Sequence, residues 1–394
     1  MSRRYIPPLI AILFLSMGAF AEPAALAWER VILPYSETCT SIVAGPSIGG
    51  SSTVIGLSSD TGTITLTRFD NAVPSTFVLA TCPEADRESE ELTCILDAVP
   101  IETPDSCDLL IAHRGDLVVA QCGIETASSR TVRLRFDNDH PILDATWINL
   151  DEDDSPEVVA VYSGLQGWVV WRHTPGRADA SVSQSWEARH IAPSCGRWLE
   201  ADRADMNGDG SDDLVLLSRQ MSAIAWVEHT MVDDPDASCR DRYDWIRFSS
   251  FDSPTVSQTL RVRASDQGAG HEVLAAISHD KGLDIGIWTQ PMDRDAAWEF
   301  NSFSPGRGVF DCIELRDADG SHFLLMTHAG IETFTRDHNR RTMVGRNRWS
   351  YPQTHFLHGR FHTRHNMLLS SSPEGQIIVI REGNRLWTAT LPND

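Results

Sequence analysis

Short apolar runs alternate with small polar turns along this chain, and the rhythm recurs about every 50 residues. Two apolar runs flank a Gly/Ser/Asp-type turn at residues 54–66, 109–120, 158–171, 214–226, 273–288, 323–334 and 367–380. Runs this short, bounded by turn formers, predict β-hairpins rather than helices. A second landmark precedes each hairpin: an aromatic or β-branched strand starter. It falls at residues 28–32, 77–79, 132–134, 186–191, 245–248, 298–300 and 349–351. Seven hairpins and seven starters, with no long helical period between them, predict an all-β fold: a seven-bladed β-propeller of four-stranded antiparallel blades. Residues 28–33 and 386–391 both read as an outermost strand, so either end of the chain could complete the closing blade.

Within that rhythm an acidic cassette occurs twice. One copy runs Asp205-Met206-Asn207-Gly208-Asp209-Gly210-Ser211-Asp212-Asp213 and enters the apolar run at Leu214. The other runs Asn149-Leu150-Asp151-Glu152-Asp153-Asp154-Ser155-Pro156-Glu157 and enters the run at Val158. Calcium takes six to eight hard oxygens from carboxylates, amides and backbone carbonyls. Asp205, Asn207, Asp209 and Asp213 would supply side chains in one copy, with the Ser211 carbonyl. Asn149, Asp151, Asp153 and Glu157 would do so in the other, with the Ser155 carbonyl. An EF-hand would need a bidentate Glu at the twelfth position and flanking helices. That position holds Leu216 or Ala160, and the flanking runs read as strands. A third copy around Asp317 and Asp319 has Leu315 and Phe323 at its outer positions and reads as decayed. The bland alternative for all three is a solvated acidic turn.

The Asp-x-Asn-x-Asp-Gly-x-x-Asp loop, followed by a strand, a turn and the Ile224-Ala225-Trp226-Val227-Glu228-His229 strand, resembles the FG-GAP/VCBS repeat family. The resemblance covers residues 145–175 and 200–230; elsewhere only the hairpin rhythm supports it. It implies an integrin-α-like propeller with structural calcium between the first two strands of a blade. It also implies a binding face on the opposite hairpin turns and the inter-blade loops. Those turns hold His113, Arg114, Asp116, Gln166, Arg219, Gln220, His279, Asp280, Lys281 and His328. Such a polar, mixed-charge ring suits a protein or polysaccharide ligand.

The ends and the composition add context. Arg3 and Arg4, the apolar stretch from Leu9 to Phe20 and the Ala19-Phe20-Ala21 site predict a signal peptide over residues 1–21. Residues 22–394 then form one propeller domain, secreted or periplasmic, with no transmembrane anchor. A net charge of −22 argues against a nucleic-acid partner. Eight cysteines after an export signal are compatible with disulfides of undetermined pairing, or with buried thiols.

Catalytic signatures are weak. His271-Glu272 begins like a zinc-protease helix, but Ala275 replaces the second His. His355, His358, His362 and His365, interleaved with Arg360 and Arg364, could form a metal or anion site or simply a hydrophilic strand. Arg114-Gly115-Asp116 is an integrin-recognition tripeptide in a predicted turn, where Gly and Asp are common anyway. Trp171, Trp226 and Trp288 read as blade packing, and Trp168, out of that register, could stack on a sugar. The leading expectation is a calcium-stabilised, non-catalytic binding module. A polysaccharide lyase or hydrolase with its site on the rim is the alternative, and an envelope-complex scaffold subunit a third.

Overall fold

The structure is a computed structural model. It describes residues 29–33, 39–45, 51–58, 62–70, 73–81, 94–100, 106–123, 129–137, 139–150, 156–173, 186–191, 197–204, 206, 212–218, 223–229, 243–250, 255–264, 271–279, 282–289, 299–303, 309–317, 320–327, 330–337, 342–349, 367–372, 375–382 and 385–392. The expected signal segment and the His355–His365 cluster lie outside them.

Strand β1 (Glu29–Ile32) begins the order. Sheet 1 follows with β2 (Cys39–Ala44), β3 (Ser52–Ser58), β4 (Thr63–Asp70) and β5 (Val73–Thr81), and sheet 2 with β6 (Cys94–Pro100), β7 (Ser106–His113), β8 (Asp116–Gly123) and β9 (Ser129–Leu134). Sheet 3 comprises β10 (Ile142–Ile148), β11 (Glu157–Tyr162), β12 (Trp168–His173) and β13 (Trp186–Ile191). Sheet 4 comprises β14 (Glu200–Ala204), β15 (Asp213–Ser218), β16 (Ala223–His229) and β17 (Tyr243–Ser250). Sheet 5 holds β18 (Thr255–Ala264), β19 (His271–His279), β20 (Gly282–Thr289) and β21 (Glu299–Phe303). Sheet 6 holds β22 (Val309–Asp317), β23 (Gly320–Thr327), β24 (Gly330–Asp337) and β25 (Thr342–Trp349). Sheet 7 takes β26 (Met367–Ser372), β27 (Gly375–Glu382), β28 (Arg385–Pro392) and, last, β1.

Each sheet is an antiparallel meander of four strands. The first strands touch in a cycle: β2 against β6, β6 against β10, and so on through β14, β18, β22 and β26, which returns to β2. That cycle is a seven-bladed propeller. The seventh blade settles which terminus is outermost. β1 pairs with β28, Val31 opposite Leu386, so the N-terminal strand closes the ring and β28 is the third strand.

The landmarks read from sequence shift by one strand in places. Six of the expected hairpins are second and third strands of their blades, but residues 367–380 are first and second. The starters are not entry strands. They lie in or beside the outermost strand of the preceding blade, as β5, β9 and β13 show.

Burial explains the pattern. A middle strand packs against neighbouring blades on both faces, so it is buried along its whole length around an apolar centre: β3 is buried throughout, and so is β11. Outermost strands face water, and β13 is exposed over most of its length. The core accordingly lies between blades. Ile55, Leu57, Ile64 and Leu66 meet Ile95, Leu109 and Ile111. Leu110, Leu117 and Val119 meet Trp147, Val158 and Ala160. Val31, Leu368 and Val379 meet Ile42, Val54 and Phe69 across the closure.

The inner strands carry a repeated polar device. Ser41, Asp97, Asp144 and Asp311 each follow a register shift in the first strand of a blade. Such a bulge re-aims the next side chain. Ser41 Oγ accepts the Ile95 N–H of the next blade at 2.9 Å. Asp97 Oδ2 accepts the Trp147 N–H at 3.0 Å and the Thr146 hydroxyl at 3.0 Å. Asp144 Oδ2 accepts the Ala201 N–H at 3.0 Å. Three consecutive inter-blade seams are thus tied by a side chain on one inner strand and an amide on the next. These acceptors satisfy backbone donors that blade packing removes from water.

Candidate functional site

The two acidic cassettes occupy equivalent places, each joining the first and second strands of its blade. Glu157 opens β11 opposite Ile148, and Asp213 opens β15 opposite Ala204. Both carboxylates are buried. Glu157 Oε2 accepts the Leu150 N–H, and Asp213 Oδ2 accepts the Met206 N–H, each at 2.9 Å. In both loops the ninth residue therefore closes back on the amide of the second. Leu150 and Met206 are themselves buried and anchor the turn from below. Of the expected ligands, Asn149, Glu157 and Asp213 are described; Asp151, Asp153, Ser155, Asp205, Asn207, Asp209 and Ser211 lie outside the described residues.

The loops differ in charge across the sheet. Arg172 Nε donates to Glu157 Oε1 at 2.9 Å, and the next strand places Glu187 opposite Arg172. Blade 3 therefore alternates acid, base, acid at this level. In blade 4 Leu214 is opposite Val227, so the next step sets Glu228 level with Asp213, and Glu228 is opposite Asp244. The backbone register thus aligns three acidic positions, and within the cassette Arg203 Nε stands 3.8 Å from Asp212 Oδ2. The carboxylate and amide oxygens in the Asp205 loop sequence are hard donors of the kind a divalent cation takes. In the Asn149 loop a guanidinium already neutralises the ninth-position carboxylate, so the fit is weaker.

The same register revises the tryptophan reading. Anchored on Glu157 and Asp213, the match to Trp171 is Val227, and Trp226 is one residue away. One residue changes the face of a strand. Trp171 and Trp288 are buried, as expected of packing residues. Trp171 Nε1 donates to the Tyr162 hydroxyl at 3.1 Å. Trp168 is buried between blades 3 and 4, beside Trp198, and offers no face for a sugar.

The opposite rim is best defined at the β7–β8 turn. Arg114 has φ 51° and Gly115 φ 78°, so both central residues are left-handed, as a tight hairpin turn requires. A Cβ on Gly115 would stand 3.2 Å from the Pro141 side chain, and the Gly115 carbonyl accepts the Ile142 N–H at 2.9 Å. The turn is thus seated on the next blade. His113 and Asp116 are buried. Asp116 receives a bidentate pair from Arg135, Nε and Nη2 each at 2.7 Å, with Arg133 at 3.5 Å. Such forked pairing is strong and directional. It turns the Asp116 carboxylate inward, away from the display that integrin recognition of Arg114-Gly115-Asp116 would need. Nearby, Phe136 packs on Tyr162 and His190, and the Gln166 carbonyl lies 2.7 Å from His190 Nε2.

His279 ends β19, and Arg219, Gln220, Asp280, Lys281 and His328 lie outside the described residues, in the equivalent turns of blades 4, 5 and 6. The meander places all these turns at the end of their blades opposite the cassettes. Arg172, Arg133, Arg135, Asp97 and Asp144 went unnoticed in the sequence. None of the five has a local sequence signal, because each is recognised by its partner on another strand.

No family model matches the sequence, and no curated protein does. Solved structures do match. YCF48 from Cyanidioschyzon merolae aligns with TM-score 0.52 at 11% identity, covering 92% of this chain and 99% of that one. A protein from Lactobacillus plantarum aligns with TM-score 0.47 at 10% identity, covering 77% of this chain and 83% of its own. At these identities the likeness to YCF48 shows the propeller fold alone. Among the described residues no helix is long and apolar enough to cross a membrane.

Proposed function

We propose that this chain is an exported β-propeller binding module, stiffened by structural calcium, that takes a protein or polysaccharide ligand on its hairpin rim and catalyses no reaction. The observation that carries the reading is the matched closure of the two acidic loops, Glu157 onto Leu150 and Asp213 onto Met206. A solvated acidic turn has no reason to bury its ninth-position carboxylate twice in the same way. Calcium would be held by Asp205, Asn207, Asp209 and Asp213 with the Ser211 carbonyl, and more weakly by the Asn149 loop, where Arg172 competes for Glu157. Bound there, the ion would pin the entry to the second strand and hold the blade rigid. Rim residues such as Arg114, Arg219, Gln220 and Lys281 would supply ligand contacts.

The test is calcium titration of the mature protein with and without chelator, read by thermal stability and by a glycan array. Calcium-dependent stability with glycan binding supports the whole reading. Calcium-dependent stability without glycan binding redirects the ligand search to proteins. Stability indifferent to calcium would overturn the metal assignment.

A further inference from the structure

Cys39, Cys94, Cys107 and Cys122 are free thiols in this structure, and two of them face each other. Cys107 on β7 and Cys122 on β8 are direct cross-strand partners. Directly opposed residues of antiparallel strands project from the same face with Cα atoms about 4.5–5.5 Å apart, inside the roughly 4.4–6.8 Å range that a disulfide spans. Both side chains are fully buried in the seam between blades 1 and 2. The tight turn at Arg114 and Gly115 fixes the hairpin register, so the two residues cannot slip apart.

We infer that Cys107 and Cys122 form a disulfide that staples the middle hairpin of blade 2 when the chain folds in the presence of a disulfide oxidant. The chemistry is two successive exchanges. One cysteine thiolate attacks a small disulfide such as oxidised glutathione, forming a mixed disulfide and expelling one thiolate. The other cysteine then attacks the protein sulfur of that mixed disulfide and expels the second. The two protein thiols lose two electrons and two protons in total, and oxidised glutathione becomes two molecules of glutathione. Burial, together with the neighbouring thiol and Asp108, pushes the Cys107 thiol up to about 12, and burial with Asp108 does the same for Cys122. Folded thiols in that state are poor nucleophiles, so the bond must form before blades 1 and 2 close. Once formed, it is shielded from reductant by the same packing. The pairing is independent of the calcium and ligand assignments.

The experiment refolds the full chain in a glutathione redox buffer, blocks free thiols by alkylation in denaturant and maps the peptides without reduction. Trypsin cuts at Arg114, and glutamyl endopeptidase cuts at Glu102, which separates Cys94 from Cys107. The expected result is a linked pair of peptides carrying Cys107 and Cys122, with neither residue alkylated. Dithiothreitol should leave the link intact in the native protein and open it in denaturant. Alkylation of both residues, or linkage of either to another cysteine, overturns the inference. So does ready reduction of the link in the native state. The mapping uses the unmutated chain, so no folding defect in a variant can obscure it.

Discussion

Replacing Arg172 with Ala should make the blade-3 loop depend on calcium. The Glu157 side chain is 1% exposed and Arg172 is 45% exposed, so the carboxylate is buried while its partner reaches water. Breaking a fully buried pair costs about 3–5 kcal/mol, and an exposed pair is worth about 0–1 kcal/mol. Solvent screening on the arginine side sets this half-buried case at about 2 kcal/mol. Unfolding entropy for a chain of this size is about 0.8 kcal/mol/K, so the expected drop in melting temperature is about 2–3 °C in chelator. Calcium would then take over the vacated electrostatic role. Millimolar calcium should recover most of the loss in the Arg172→Ala variant and add less to the unmutated blade-3 loop. Glu157→Gln should reduce the effect of Arg172→Ala, because a neutral amide does not need the cation. The assay is differential scanning calorimetry on the four combinations, each with chelator and with calcium. An Arg172→Ala protein as stable as the parent in chelator would refute the argument that this pair closes the loop.

Three further outcomes follow from the geometry. Chelation should lower the melting temperature of the parent by about 3–4 °C, the equivalent of about 2.7 kcal/mol at a hundredfold excess of calcium over its dissociation constant. Asp205→Asn combined with Asp209→Asn should abolish most of that shift, and a calorimetric shift unchanged by the pair would sink the blade-4 assignment. Asp144→Ala should cost about 1–3 kcal/mol, because it strips the acceptor from the buried Ala201 and Ala145 amides. Asp97→Ala should cost a similar amount, and the two should add only partly, since both seams involve blade 3; equilibrium denaturation of the single and double variants measures this. Burial raises the Asp108 carboxyl to about 6 in the folded chain, from an ordinary value near 3.8. Folded protein therefore binds more protons than unfolded protein between about pH 4 and 6, and stability from this group falls as pH rises through that window. Asp108→Asn should flatten the fall and stabilise the protein above pH 6, as melting curves across that range would show.

The parts of this fold legible in sequence are those buried on two faces. Second strands such as β3 and β11 are buried at every position and carry apolar runs at their centres, so six of the seven central hairpins stand out by composition. First strands do not. β10 carries Asp144 and β6 carries Asp97, because these strands spend polar side chains on amides of the next blade. Their bulges also break the two-residue alternation that marks a strand. The Met367–Ser372 strand was misplaced for the complementary reason: it is apolar at its start, like a second strand, and its blade borrows β1 from the far end of the chain. No local pattern encodes that pairing. The acidic cassettes were visible because each is contiguous in sequence, yet their difference was not, since it lies in residues of other strands. Arg172 is fifteen positions from Glu157 in sequence and 2.9 Å from it in the fold. The charge around an acidic loop is set by such distant partners: Arg172 from the third strand reaches Glu157 in blade 3, and Arg203 from the first strand stands 3.8 Å from Asp212 in blade 4.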